Sequence, residues 1–301
     1  MNVLLFGKNG QLGWELQRAL APLGNLVTLD RRSIEYCGDL SRPQDIADTI
    51  RRIRPQVIVN AAAYTAVDKA ESERELAYTI NALSVEAMAR EAANLDACVV
   101  HYSSDYVFPG SGEVAWQEND ETAPLNFYGE TKLAGEKALQ QYCPNHMIFR
   151  TSWVYASRGQ NFAKTMLRLG KERKSLGVIN DQFGAPTGAE LLADCTAHAI
   201  RTAIQHSNVA GIYHLSATGA VSWYKYAELI FDEARKAGIT LSLESLNSIS
   251  SKDYPVPAKR PLNSRLDTRK FQDTFGLVLP RWETGVRRML NEVFSAGMFG
   301  L

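Results

Sequence analysis

Cysteine is scarce and scattered in this chain of 301 residues: Cys37, Cys98, Cys143 and Cys195 stand far apart. None forms the close pairs that metal sites and redox motifs require, so the thiols are expected to be reduced. An excess of one charge is missing as well. Lys plus Arg and Asp plus Glu both number 33, without a long like-charge run, which leaves no electrostatic support for a nucleic-acid or membrane-surface partner. No apolar run is long enough to span a bilayer. Residues 1–6 lead straight into a glycine-rich turn, with no room for a leader's apolar stretch and cleavage site. These absences imply a chain of the cytoplasm with a small-molecule ligand. Internal repeats and low-complexity tracts are also lacking.

What is present is ordinary globular composition, 45% hydrophobic and 22% charged, arranged in two alternating patterns. Apolar strand-like runs fall at residues 3–6, 26–30, 57–60, 97–103 and 147–151. Between them, residues 11–20, 44–53, 75–94 and 131–142 carry apolar side chains at three- and four-residue spacing, as amphipathic helices do. Strands alternating with helices predict an α/β fold, a doubly wound parallel sheet of the Rossmann kind. The alternation weakens after Trp153, where helices are expected at 162–169, 190–205 and 223–237 and a strand at 212–215. The expected division is a dinucleotide-binding domain over 1–155 and a smaller C-terminal substrate lobe over 156–301, with some of its segments returning to the first core. Residues 245–265, rich in Ser and Pro, read as a loop or linker.

Gly7-Lys8-Asn9-Gly10-Gln11-Leu12-Gly13 lies between the first strand and the first helix. A dinucleotide site needs glycines there for a tight turn, for close backbone approach to the pyrophosphate and for helix-to-strand packing. The helix N-terminus then offers unpaired N–H groups to the phosphates. The spacing GxxGxxG departs from GxGxxG, and a glycine-rich turn without a cofactor is the competing reading. Asp30 closes the second strand, where a carboxylate would accept from an adenosine ribose hydroxyl. Arg31 and Arg32 beside it favour a 2′-phosphate, so both NADPH and NADH are expected, with a lean to NADPH. Asp39-Leu40 and Ala61-Ala62-Ala63-Tyr64-Thr65 follow the second and third strands, where further cofactor contacts would fall; plain close packing explains the alanines equally well.

Tyr128-Gly129-Glu130-Thr131-Lys132 places a phenol and an ammonium one helical turn apart, and no other tyrosine has lysine four residues on. It follows Ser103-Ser104-Asp105 by one helix. Carbonyl reduction needs a proton at the oxygen as hydride reaches the carbon, and a phenol with pKa about 10 is a sluggish donor. A nearby Lys⁺ would lower that value, and Ser104 would orient the carbonyl and share its developing charge. A solvated helix face is the bland alternative for the pair.

At these residues the chain resembles the dTDP-4-dehydrorhamnose reductases of the extended short-chain dehydrogenase/reductase superfamily. The resemblance covers nearly the whole chain. Besides residues 7–13 and 128–132 it rests on Asn60-Ala61-Ala62-Ala63-Tyr64-Thr65-Ala66-Val67-Asp68-Lys69-Ala70-Glu71, Ser103-Ser104-Asp105-Tyr106-Val107-Phe108 and Phe149-Arg150-Thr151-Ser152-Trp153-Val154-Tyr155. Asp181-Gln182-Phe183-Gly184-Ala185-Pro186-Thr187 and Arg260-Pro261-Leu262-Asn263-Ser264-Arg265-Leu266 extend it.

The resemblance implies reduction of a C4 keto group on a dTDP-linked sugar, the last step of dTDP-L-rhamnose synthesis. Tyr128 would be the proton donor and Lys132 would hold the nicotinamide ribose. Ser104 stands where family members often carry Thr, a departure that keeps the hydroxyl and loses a methyl. Tyr102 would line the cofactor; Val67, Asp105, Tyr106, Trp153 and Asn263 would line the sugar pocket, although a large aromatic after a core strand is as readily core. Arg260 and Arg265 would reach the diphosphate, unless they form surface ion pairs. The resemblance further implies a homodimer, with Glu15, Glu190 and Glu292 around Mg²⁺ at its interface, although scattered glutamates are ordinarily solvated. Two other classes share these features. An epimerase or dehydratase would retain NAD, and a regulatory subunit of the methionine adenosyltransferase type would bind without catalysis.

Overall fold

A computed structural model describes residues 1–296. The first half alternates as expected: β1 (Asn2–Phe6), α1 (Gln11–Leu20), β2 (Asn25–Leu29), α2 (Pro43–Ile53), β3 (Val57–Asn60), α3 (Val67–Ala70), α4 (Arg74–Tyr78), α5 (Ser84–Asn94), β4 (Cys98–Ser104), α6 (Phe127–Tyr142) and β5 (His146–Thr151). The second half adds β6 (Val154–Tyr155), α7 (Phe162–Glu172), β7 (Ser175–Ile179), β8 (Phe183–Gly184), β9 (Thr187–Gly188), α8 (Ala189–Gln205), β10 (Gly211–His214), β11 (Val221–Ser222), α9 (Trp223–Lys236), β12 (Ser245–Ile249), α10 (Arg269–Phe275) and α11 (Trp282–Ser295).

Six strands form one parallel sheet in the order β10-β5-β4-β3-β1-β2. The strands read as near-continuous apolar runs because helices cover both faces; Val3, Leu5, Val57 and Val59 point into one core and Leu4, Phe6 and Ile58 into the other. On α2 the buried positions Ile46, Ala47, Thr49 and Ile50 form one stripe against the sheet. Each such isoleucine stabilises the fold by about 1.5–3 kcal/mol. The chain leaves β1 toward β2 on one side and β3 on the other, so the crevice beyond their carboxyl ends is the ligand site of a doubly wound sheet. The sixth strand, β10, comes from the second half, and α8 packs on α1 beneath the same sheet. A separate core gathers Leu167, Tyr226, Phe231, Val286 and Leu290 from α7, α9 and α11.

Two expectations are corrected. Residues 75–94 do not form one helix: a π-helical segment, Thr79–Leu83, separates α4 from α5. Its Asn81 is buried and binds both backbone groups of Tyr64 and the Thr131 hydroxyl, and α6 comes so close that a Cβ on Gly135 would lie 2.3 Å from the Asn81 carbonyl. Residues 245–265 are not all loop. Ser245–Ile249 pairs in parallel with β7, a strand too short and polar to announce itself, existing because a partner supplies its hydrogen bonds.

Candidate active site

The glycine loop turns at Gly7, where φ is +89° and a Cβ would stand 2.8 Å from the backbone of Ala61 and Ala62. At Gly13 a Cβ would fall 1.9 Å from the Gly7 carbonyl, so loop and helix touch backbone to backbone. No side chain caps α1 at Gly10, and the first-turn N–H groups of Gln11, Leu12 and Gly13 remain available to phosphates. Asp30 ends beside this loop and accepts from Asn9 and from the Arg32 backbone. Arg31 and Arg32 extend into solvent next to it. Asp39 accepts from Ser41 (3.0 Å), whereas Leu40 is buried with its carbonyl taken by Ser84. Ala61, Ala62 and Ala63 line the crevice as half-buried backbone; Tyr64 gives its hydroxyl to Glu73 at 2.6 Å and Thr65 is exposed. An uncapped helix, a backbone-tight loop and exposed guanidinium groups suit a dinucleotide with an extra phosphate.

Ser104, Asp105 and Tyr128 meet at the carboxyl end of β4. Asn126 caps α6, accepting from Gly129 N–H at 2.9 Å, and so sets Tyr128 in the first turn, half-buried with its ring edge-on to Tyr106 (5.7 Å). The Ser104 hydroxyl lies near enough to the Tyr128 phenol to favour its ionised form. Ser104 Oγ donates to Asp105 Oδ1 at 3.0 Å and accepts from Tyr106 N–H at 3.1 Å. Asp105 is buried and its Oδ2 has no hydrogen-bond partner among the described residues.

The electrostatics of the pair differ from expectation. Burial pushes the Tyr128 phenol up to about 12, the Asp105 carboxylate pushes the same way, and only Ser104 opposes them. Lys132 does not lower it, because its Nζ turns into the sheet, to the Tyr102 carbonyl at 2.7 Å and His101 Nε2 at 3.2 Å. Burial pulls that ammonium down to about 8 against the attraction of Glu136. Tyr128 is therefore protonated throughout the neutral range, the form a proton donor needs.

Asp105 carries a stability consequence. Burial raises its carboxyl to about 6, against the Ser264 and Ser104 hydroxyls. Folded above unfolded means that the protonated acid is the stable partner of the fold, and stability is lost as pH rises through about 6. Asp105→Asn is expected to melt higher than the parent near neutral pH, by up to about 2–3 kcal/mol, with the gap closing near pH 4. Melting curves of both proteins across that window check it; a gap independent of pH would rule the carboxyl out as its source.

Trp153 sits half-buried at φ +50°, a backbone region that bulky residues rarely adopt. Its indole stacks on Trp223 (3.4 Å, 11°) and lies over Gly184, where a Cβ would be 2.6 Å from the ring. Val67 opens α3 across the crevice. Arg260 pairs with Asp68 at 2.7 Å, and its buried Nη1 is unpartnered. Arg265 lies over Phe183 (4.5 Å) and binds Asn263 Oδ1 (3.0 Å).

Three assignments meet other commitments in the structure. The Tyr102 ring is buried in the core against Phe149 and its hydroxyl pairs with Thr196, so only its carbonyl reaches the site. Asn263 is buried and uses its amide on the Ser111 and Val114 carbonyls and its oxygen on Arg265, which makes it a staple of the 110–116 loop. Glu15, Glu190 and Glu292 do line one cleft, but Arg18 lies 3.6 Å from Glu15, and Arg288 lies 3.7 Å from Glu190 and 3.5 Å from Glu292. Guanidinium groups supply countercharge in that cleft, and within the single chain no three acids stand close enough to hold a metal ion among the described residues. Sequence reasoning gave no role to Asn60, His101, Asn81 or Trp223. A histidine inside an apolar strand was the one available signal.

The family model described as the RmlD substrate binding domain matches residues 1–295. The dTDP-4-dehydrorhamnose reductase of Escherichia coli K12 is 68% identical over 295 residues, covering 98% of this chain and 99% of that protein. This chain belongs to that family. The dTDP-4-dehydrorhamnose reductase of Bacillus anthracis, solved in complex with NADP, is 35% identical and superposes over 97% of this chain and 99% of that one with a TM-score of 0.86. The UDP-glucose 4-epimerase of Thermus thermophilus, at 17% identity and a TM-score of 0.79, shares the fold alone. Like the family's reductases, this chain is an oxidoreductase of Rossmann architecture, and among its described residues no helix is long and apolar enough to cross a membrane.

Proposed function

We propose that this chain reduces the C4 keto group of dTDP-4-dehydro-β-L-rhamnose to give dTDP-L-rhamnose, with NADPH preferred and NADH accepted. The observation that carries the reading is the Ser104–Asp105–Tyr128 cluster, which places a protonated phenol at the mouth of a dinucleotide crevice. The dinucleotide, when bound, supplies hydride to the carbonyl carbon. The rest falls to the chain. The glycine loop and the α1 terminus take the pyrophosphate, and Asp30, Arg31 and Arg32 take the adenosine ribose and its phosphate. Lys132, one turn along from Tyr128, would turn its ammonium from the Tyr102 carbonyl to the nicotinamide ribose when the dinucleotide binds. Tyr128 gives its proton to the carbonyl oxygen while Ser104 steadies it. Val67, Tyr106 and Trp153 wall the sugar, Asp105 Oδ2 accepts from one of its hydroxyls, and Arg260 with Arg265 meets the diphosphate.

The lobe over 156–301 supplies Arg260 and Arg265 to this substrate side. A homodimer in the cytoplasm completes the proposal, supported by the family and by the absence of any membrane-crossing helix among the described residues. Addition of dTDP-4-dehydro-β-L-rhamnose is expected to oxidise NADPH mole for mole. NAD that stays bound and is regenerated without net NADPH loss would replace the reductase reading with an internal-redox epimerase.

A further inference from the structure

Asn60, His101 and Lys132 form a buried chain beneath the site, each 1–2% exposed. Asn60 on β3 and His101 on β4 are register partners, so their side chains stand together on one face of the sheet. Asn60 Nδ2 lies 3.1 Å from His101 Nδ1, and Lys132 Nζ lies 3.2 Å from His101 Nε2. Both imidazole nitrogens therefore face groups that are ordinarily donors.

Hydrogen counting decides between the possible arrangements. The Ala62 backbone N–H, a donor under all conditions, points at Asn60 Oδ1 at 3.1 Å, so the amide cannot turn over without setting donor against donor. Asn60 Nδ2 then donates to His101 Nδ1, which must be bare. A neutral imidazole keeps one hydrogen, and it falls on Nε2. An Nε2–H aimed at Nζ meets a compatible partner only if Nζ presents a lone pair.

We propose that His101 holds Lys132 as a neutral amine in the cofactor-free protein, donating Nε2–H to Nζ while Nζ donates to the Tyr102 carbonyl. The other charged groups around the lysine are accounted for. Glu136, one turn along α6, attracts a proton to it but is itself clamped by Arg150 of β5 at 2.9 and 2.7 Å. No acid from β3 or β4 contacts Nζ among the described residues; Asp105, at the end of β4, acts on Tyr128 instead. Burial holds His101 well below its ordinary value, which keeps the ring neutral as the hydrogen count requires. The chain also runs to Ala62, on the loop that touches Gly7, so the protonation of Lys132 is linked to the geometry of the dinucleotide crevice. His101 is thus a positioning residue that sets the charge of the lysine. Its bearing on turnover rests on the reductase reading, but its tautomer does not.

The test is the ¹⁵N spectrum of histidine-labelled protein without cofactor or substrate, with His101 assigned through its own backbone among the five histidines. At a pH of about 9, above the value of about 8 to which burial brings Lys132, Nδ1 is expected to show the shift of a bare acceptor and Nε2 that of a protonated nitrogen. Asn60→Asp replaces the donor with a carboxylate of the same shape, so the hydrogen is expected to move to Nδ1. Nε2 then accepts from a charged lysine, whose titration rises by about one unit or more. A wild-type His101 protonated on Nδ1 or on both nitrogens, or an Asn60→Asp spectrum with the tautomer unchanged, overturns the proposal. Failure of the chain to oxidise NADPH would overturn the reductase reading and leave the tautomer standing.

Discussion

Tyr128→Phe is expected to keep its cofactor and lose its chemistry, with turnover falling roughly 10²–10⁴-fold, the usual worth of a positioned proton donor. Phenylalanine keeps the ring packed edge-on to Tyr106, so the first turn of α6 and its Asn126 cap are undisturbed. What disappears is the hydroxyl beside Ser104. NADPH affinity, read by quenching of its fluorescence, should stay within a few-fold if the glycine loop, away from Tyr128, holds the phosphates as proposed. Ser104→Ala keeps the donor and removes only charge-sharing, and a loss of about 10²-fold or more is expected there. If Tyr128→Phe kept turnover within ten-fold of the parent, the proton would have to come from elsewhere. The buried Asp105 carboxyl, raised to about 6, would be the next candidate.

Glu136→Ala is expected to be the most destabilising of the charge deletions. Arg150 reaches Glu136 through two parallel bonds of 2.9 and 2.7 Å, with side-chain exposures of 3% and 0%. Phe108 stacks on the guanidinium at 4.9 Å, and among the described residues the Glu118 carbonyl, 3.2 Å from Nη1, is the polar partner left once the carboxylate is gone. Removing one member of a buried pair leaves an uncompensated charge, at a cost of about 3–5 kcal/mol and a drop in Tm of roughly 10 °C. Replacing Glu136 and Arg150 together with methionines should recover much of the loss, because two desolvated charges then leave together. An exposed pair such as Arg168–Glu172, with exposures of 57% and 52%, sets the contrast, and its deletion should cost less than about 1 kcal/mol. A thermal melt of Glu136→Ala no worse than that of Glu172→Ala would show that the Arg150 charge finds other compensation.

The alternating architecture was legible because a parallel sheet covered on both faces imposes apolar strands and amphipathic helices that depend on neighbours only in sequence. The glycine loop was legible for the same reason: φ +89° at Gly7 and a 1.9 Å clash at Gly13 are demands that local chain geometry places on residue type. Tyr128 and Lys132 were legible as a spacing on one helix. The polar strand Ser245–Ile249 was not, since its partner lies about seventy residues away on β7, and neither was the π-helical segment that Asn81 creates by binding Tyr64 and Thr131.

The same division holds inside the site. Sequence by itself determined which groups are present: a phenol, a lysine, a serine and a carboxylate beside a dinucleotide loop. Only the tertiary structure decided what each of them is worth. Tyr102 and Asn263 stand in the right motifs but are committed to Thr196 and to the 110–116 loop, and the three glutamates share their cleft with arginines. Lys132 stands where its spacing to Tyr128 puts it, yet it answers to His101 and to the Tyr102 carbonyl. Protonation state depends on burial and on partners brought together from β3, β4 and α6. Those are properties of three-dimensional proximity, to which the order of residues along the chain contributes only through the fold.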